Sequence, residues 1–290
     1  MTPDLFTPVP LEPLPFRLEV GDTVVSLGSC FADEVATRMQ EGGFRVEANP
    51  FGTLYNPASV AASLERIVDD CEITADDLVQ HDGLWHSWHH HGSFSRSTPE
   101  ECLAACNSRL HQAHRALSGA RLLIVTFGTA YVYEHEGVVV ANCHKLPPQT
   151  FTRRRMTADE IVSLWQPLLQ KLHSAYPQLH LLFTVSPIRH LADGAHGNQL
   201  SKSTLLLAVD QLLSTPHSPL PTHYFPSYEI VLDELRDYRF YGPDMTHPSS
   251  LAVDIVWHRF QQACMSPATI QQVHNNIKQH KREKHIPLHQ

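Results

Sequence analysis

Two short segments hold side chains that could together transfer an acyl group. Gly28-Ser29-Cys30 places a hydroxyl and a thiol directly after a glycine. Asp244-Met245-Thr246-His247-Pro248 places a carboxylate three residues before an imidazole. At that spacing Asp244 can accept from one ring nitrogen of His247. This fixes the tautomer while the other nitrogen handles a proton. A nucleophile, a base and an orienting acid are the parts of covalent acyl chemistry. Singly, each has a plainer use: Ser29 as a helix N-cap, Cys30 as a small buried hydrophobe, and Asp-x-x-His as a frequent chance pattern.

Those residues matter only if the chain brings them together. Residues 23–27 form an apolar run ending at Gly28, and 122–127 and 179–185 are two more, each reading as a buried strand. Helical patterns cover 31–40, 57–70, 98–117, 157–176, 201–213 and 250–263. Thr98 and Thr157 begin capping-box sequences, and Gly42-Gly43 is a helix stop. A strand is expected over 44–48, a hairpin over 131–140 around Glu136-Gly137, and a kink at Pro167; residues 228–235 are ambiguous. Strands alternating with helices predict right-handed βαβ units and a mostly parallel sheet in a three-layer α/β/α domain.

In such sheets ligands sit at the carboxyl ends of the strands. The segments expected there are Gly28-Ser29-Cys30, Asn49-Pro50-Phe51-Gly52, Gly128-Thr129-Ala130 and Ser186-Pro187-Ile188-Arg189-His190, with the Asp244–His247 loop beside them. The helix after Gly28 would aim its free N–H groups at the site, favouring a Cys30 thiolate or an oxyanion. Arg189 suits a carboxylate or phosphate, unless it pairs with Asp237 or Glu229. Trp85, Trp88, His91 and Gly92 are candidates for a substrate pocket or for a satellite cluster beneath a loop. Lys145 and Lys202 read as solvated or capping residues.

The 290 residues are 42% hydrophobic and 18% charged, enough for a sizeable core and too apolar for a disordered chain. A net charge of −8 argues against nucleic acid as a partner. No apolar run reaches the ~18 residues of a membrane span. The opening MTPDLFTPVPLEPLPF has no basic residue before Arg17, unlike a secretory signal, so a cytoplasmic location is expected. Six dispersed cysteines then imply no disulfide framework, and Cys102 and Cys106 read as two thiols on one helix face. We expect a Pro-rich arm over 1–20, a domain over 21–265 with an irregular inserted loop around 71–97, and a basic, His-rich tail over 266–290.

Several motifs resemble the GSCFA family: Gly28-Ser29-Cys30-Phe31-Ala32, the run from Asn49 to Pro57, Thr126 to Ala130, Asn142 to Lys145, Ser186 to His190, Tyr224 to Glu229, Asp237 to Tyr241 and Asp244 to Pro248. The resemblance spans roughly residues 22–262. It implies a domain related to SGNH (GDSL-type) hydrolases, with a flavodoxin-like α/β/α fold and esterase or acyltransferase chemistry without metal or cofactor. The Gly-Asp-Ser block of those enzymes puts Cys30 rather than Ser29 at the nucleophile position. Gly52 matches the second-block glycine. The third block, Gly-x-Asn-Asp, meets Gly128-Thr129-Ala130-Tyr131, so its oxyanion asparagine is absent; such a donor is typically worth about 10²–10³ in rate. Asn142 or Asn56 could replace it, beside the backbone N–H groups of Cys30 and Gly52. Gly128, Thr129, Trp88, His91, Arg189 and His190 are the expected substrate-binding residues.

The expected substrate is a small-molecule, glycan or peptide ester or acyl donor. A thiolate at Cys30 would need less general-base help than a serine, and its thioester would pass to alcohols, amines or thiols as readily as to water. Two rivals stand beside this. The Ala130 departure fits a non-catalytic glycan- or peptide-binding protein, which a nucleophile more than ~5 Å from His247 would favour. The 21 histidines suggest a metal hydrolase using His89, His90, His91 or His144 with Asp244, although no H-E-x-x-H spacing occurs.

Overall fold

The computed structural model describes residues 7–214 and 220–284. The first six residues of the expected arm and the last six of the expected tail lie outside that range. In chain order the elements are β1 (Thr23–Gly28), α1 (Cys30–Glu41), β2 (Arg45–Ala48), α2 (Pro57–Asp69), β3 (Leu78–His81), β4 (Leu84–Ser87), α3 (Pro99–Ser118), β5 (Leu122–Phe127), β6 (Tyr131–His135), β7 (Val138–Val140), β8 (Thr152–Arg155), α4 (Ala158–Ala175), β9 (His180–Val185), α5 (Gly194–Ser214), β10 (Thr222–Phe225), α6 (Ser227–Glu229), α7 (Ser250–Cys264) and α8 (Pro267–Lys284).

The central sheet runs β10-β9-β5-β1-β2, every pairing parallel. The chain steps outward from β1 to β2, then returns across β1 to β5, so the order reverses between β1 and β5. That is the flavodoxin-like arrangement, whose ligand crevice opens at the reversal. Alternation along the central strands shows the three layers. Val25, Leu27, Leu123, Val125, Leu181 and Phe183 pack with Leu64, Leu110, Trp165 and Leu205 of α2, α3, α4 and α5. Val24, Leu122, Ile124 and Leu182 face the other way, onto Phe31 and Met39 of α1 and Val256 and Phe260 of α7. Strands covered on both faces have no polar side to show, which is why they read as continuous apolar runs.

Several elements differ from expectation. The 71–97 segment is no structureless loop, since β3 and β4 pair antiparallel within it. The hairpin over 131–140 gains a third strand, β8, on the other side of β6. α5 begins seven residues before the expected 201, and β10 was not anticipated at all. Residues 228–235 become the end of α6 and a π turn over Ile230–Glu234. The arm is tied down where the N–H groups of Leu14 and Leu18 donate to the carbonyls of Ala263 and Cys264, each at 2.8 Å. α8 buries Val273 and donates from Asn276 to the Gly42 carbonyl at 2.8 Å. All six cysteines are free, with Cys102 and Cys106 in the core.

The turn after β1 admits only glycine. Gly28 has φ +137°, and a Cβ there would lie 2.1 Å from the Thr126 carbonyl oxygen of β5. Gly28→Ala should therefore lower stability by about 3 kcal/mol or more, read as a fall in the urea midpoint with unchanged slope. A shift within experimental error would show that β1 and β5 need not approach so closely.

Candidate active site

Cys30 is the first residue of α1, immediately past the β1 turn. Asn49 holds that turn: its Oδ1 accepts from the Gly28 N–H at 2.8 Å, and its Nδ2 donates to Asp33 at 2.7 Å. Ser29 is the N-cap of α1 but makes no side-chain capping bond, and its Oγ is buried without a hydrogen-bond partner. The Cys30 thiol lies in a cleft of about 610 Å³. Its Sγ is 4.0 Å from Nε2 of His247.

The opposite ring nitrogen of His247, Nδ1, is 2.5 Å from Asp244 Oδ2. Asp244 Oδ1 accepts from the backbone N–H groups of Thr246 and His247, at 2.9 and 3.0 Å. Those two N–H donors, then the imidazole, hold the Asp244 carboxyl below the usual carboxylate range. The loop is anchored to the sheet where the Arg189 N–H donates to the Thr246 carbonyl at 3.1 Å, and it closes on itself where the Gly242 N–H donates to the His247 carbonyl at 2.7 Å.

Of the two expectations for this helix end, a Cys30 thiolate or an oxyanion, the first is opposed by the thiol's surroundings. Burial, then the charge of Asp33, pushes the Cys30 thiol above its ordinary value, while the N–H groups of Cys30 and Phe31 pull it down by less. The helix end is outweighed first by burial and then by Asp33, which stands one turn away on the same helix.

The cleft also takes in Asn56, Thr129, Asn142, Arg189 and His190. Asn142 Oδ1 accepts from the His144 N–H at 2.8 Å, and its Nδ2 has no partner among the described residues. Asn56 caps α2 through the Ser59 N–H and donates to Ser59 Oγ, so its amide is largely committed there. The Gly52 N–H donates to the Asn49 carbonyl at 2.7 Å, which removes it from the expected oxyanion donors. Gly128 and Thr129 both donate their N–H groups to the Tyr55 carbonyl, at 2.7 and 2.9 Å, so they shape the cleft by backbone and offer it no amide. Ala130 is buried in the core with Phe127 and Val132, so an asparagine in that register would point away from the cleft.

Trp88 and His91 lie outside the cleft lining. Trp88 packs among His135, His144 and Phe151. His91 bonds Ser93 and stands against Gly52, where a Cβ would meet the His91 Cβ at 2.4 Å. The four histidines of the metal alternative do not converge with Asp244. His89 bonds Asp77 and Arg66, His90 bonds Ser87, and His144 bonds the Ser87 carbonyl. Among the described residues no group of three His, Cys, Asp or Glu side chains could hold a metal. No described helix is long and apolar enough to cross a membrane.

Sequence reasoning missed the floor of the cleft. Lys202, expected to be solvated or capping, is fully buried and donates to the carbonyls of Gly128 and Ser186, at 2.7 and 2.6 Å. It thus clasps the ends of β5 and β9. A neutral amine has two donors, matching those two acceptors, and burial pushes Lys202 down to about 7. Its neighbours on α5 serve the same loops: Ser201 Oγ accepts from the Ala130 N–H at 2.8 Å, and Asn198 Oδ1 from the His190 N–H at 2.9 Å. The spacing 198, 201, 202 puts these polar residues on one helix face, and all three are buried. His190 is held down to about 4, chiefly by burial, and its buried Nε2 has no partner.

Fold and site define a flavodoxin-like α/β protein in which a thiol and an oriented imidazole meet at the strand-order reversal. The chain belongs to the GSCFA family, whose model matches residues 23–260. A search of curated proteins returns no match. Among solved structures, it is similar to a carbohydrate esterase family 3 protein from Talaromyces cellulolyticus, at 9% identity and TM-score 0.37 over 88% of this chain and 99% of that one. A family two carbohydrate esterase from Clostridium thermocellum, solved with cellohexaose, matches at 10% identity and TM-score 0.41 over 86% of this chain and 63% of its own. A Corynascus thermopiles carbohydrate esterase family 2 enzyme with a carbohydrate-binding domain matches at 12% identity and TM-score 0.42, over 92% and 69%.

Lys202→Met should cost about 2–4 kcal/mol in urea unfolding, since two buried carbonyls lose their donors. The pH dependence has a fixed sign. Lys202 releases its proton near 7 in the folded protein and near 10.5 when unfolded, so unfolding between those values takes up a proton. Stability from this group therefore rises with pH across that window, and Lys202→Met removes the slope. A wild-type slope equal to the variant's would show the amine unperturbed.

Proposed function

We propose that this protein is an acyl hydrolase or acyltransferase working through an acyl-enzyme on Cys30. The observation that carries the reading is the relay Cys30 Sγ–His247–Asp244, with separations of 4.0 and 2.5 Å. A thiol inside the ~5 Å limit supports catalysis over binding alone. Ser29 is the weaker nucleophile candidate, because its hydroxyl is buried and bonded to nothing.

In the first half-reaction His247 Nε2 takes the thiol proton, and sulfur attacks the acyl carbon. The new C–S bond forms as the carbonyl electrons move to oxygen. That oxyanion sits by the free N–H groups at the start of α1, with the Asn142 amide as the side-chain donor. The electrons return, the bond to the leaving oxygen breaks, and the imidazolium protonates the departing alkoxide. In the second half-reaction His247 takes a proton from water or an acceptor alcohol, whose oxygen attacks the thioester; the C–S bond breaks and the thiol recovers its proton. Asp244 supports the imidazolium throughout. The substrate class is an ester or acyl donor on a small molecule, glycan or peptide.

The test is turnover of 4-nitrophenyl acetate and an acyl thioester, with intact-mass and peptide mapping after a short reaction. Wild type should gain one acyl group on Cys30, Cys30→Ala should gain none, and Ser29→Ala should keep most activity. His247→Ala should lose about 10²–10⁴ at neutral pH. With the base gone, the reaction must wait for the thiol's own ionisation, which burial and Asp33 push up, so its profile should climb only in the alkaline range. Turnover indifferent to His247→Ala, or acylation of Ser29, would overturn the assignment.

A further inference from the structure

Arg189 is an unmatched cation between two cavities. Its guanidinium has no hydrogen bond or ion pair among the described residues, and its one contact of note is the Tyr241 ring, 5.8 Å to the centroid. Neither pairing expected for it is made. Asp237 binds Arg239 at 3.0 Å, and Glu229 accepts from the Tyr224 hydroxyl at 2.8 Å. Nearby, Asp193 is held by Arg153 and Asp244 by His247. In a chain of net charge −8, a cation left without a carboxylate at the mouth of a cleft is an anion site in waiting.

Arg189 lines the Cys30 cleft and also a second cavity of about 350 Å³. The second cavity is walled by Leu232, Leu235, Tyr238, Tyr241 and Met245, with Arg236 and Asp237 also on its lining, the latter tied to Arg239. Tyr238 is 82% exposed and Met245 49%, an unusual display of apolar surface beside a polar site. Met245 sits between Asp244 and His247 in a left-handed conformation, φ +57°. The second cavity is therefore walled in part by the loop that carries the imidazole, while His247 itself lines the Cys30 cleft.

We infer that Arg189 binds a carboxylate or phosphate on the leaving group, which is also the acceptor side, and that the second cavity seats the apolar or aromatic body attached to it. The substrates are then anionic esters rather than neutral ones. This rests on the acyl-transfer reading for its kinetic arm alone, because anion binding is measurable without turnover.

The binding arm uses calorimetry with phenyl phosphate, benzoate, inorganic phosphate and neutral benzyl alcohol, on wild type, Cys30→Ala, R189K, R189Q and Y238A. Wild type and Cys30→Ala should bind phenyl phosphate or benzoate at least about tenfold more tightly than benzyl alcohol, the ratio of the two anions telling phosphate from carboxylate. R189Q should lose that margin, and R189K should keep part of it. Y238A, altered at an exposed position that folding tolerates, should weaken phenyl phosphate several-fold and leave inorganic phosphate alone. The kinetic arm compares kcat/KM for 4-acetoxybenzoate with that for phenyl acetate, a ratio that should exceed about ten in wild type and fall at least tenfold in R189Q. Equal binding of phenyl phosphate and benzyl alcohol, or undiminished anion binding by folded R189Q, would overturn the anion site; unchanged phenyl phosphate binding by Y238A would overturn the role of the second cavity. If no form turns over any ester while R189Q alone loses anion binding, the anion site stands and the catalytic reading falls.

Discussion

At Gly28 the backbone of β1 lies so close to β5 that a side chain there would run into the Thr126 carbonyl. Everything at the cleft is set by that contact. It occurs at the reversal of strand order, so the chain must leave β1 upward and turn at once into α1. Of the N–H groups that open α1, that of Ala32 donates to the Ser29 carbonyl at 2.8 Å, and those of Cys30 and Phe31 face the thiol. Asn49, itself in a left-handed conformation at φ 41°, arrives from the end of β2 to accept from the Gly28 N–H. Two neighbouring strands thus fix one turn, and the turn fixes Cys30.

The remaining cleft residues come from loops, and backbone bonds give those loops the rigidity they lack by sequence. The Tyr55 carbonyl accepts from both Gly128 and Thr129, and the Arg189 N–H ties the strand that ends at Val185 to the loop carrying His247. Lys202 joins the ends of β5 and β9 from below with its two donors. An isolated buried charge would be costly there, whereas an amine that sheds its proton near neutrality keeps both bonds without it. The geometry between thiol and imidazole is held by a mesh of backbone carbonyls and amides, with few long side chains to lose order.

What was legible in the sequence follows from burial. β5, β9 and most of β1 stood out because both faces are covered, so apolar residues run without a break. β8 reads Thr-Arg-Arg-Arg and β10 Thr-His-Tyr-Phe, and neither looks like a strand, since both pair on one side only. The first turns of α5 hid behind Gly194 and Gly197, residues that ordinarily argue against a helix. At the cleft, Cys30, Asn142, Arg189 and the Asp244–His247 pair were legible from their positions after strands or in a closing loop. Lys202 was not, because a lysine's burial depends on which carbonyls the folded chain brings within its reach. For Trp88 and His91 composition left a pocket wall and a satellite cluster both open; they follow the β3–β4 hairpin, and Trp88 packs in an aromatic cluster with His135, His144 and Phe151.

One carboxylate serves the fold at the expense of the nucleophile. Asp33 accepts from Asn49 and from Thr53, and so steadies the residue that holds Gly28. The same negative charge, one turn along α1 from Cys30, opposes the thiolate that the helix end would otherwise favour. Burial raises Asp33 itself, and the hydrogen bonds from Asn49 and Thr53 pull it back down by less. Burial and this charge both push the Cys30 thiol above its ordinary value. The turn that positions Cys30 and the charge that opposes its ionisation therefore meet in one residue, Asp33.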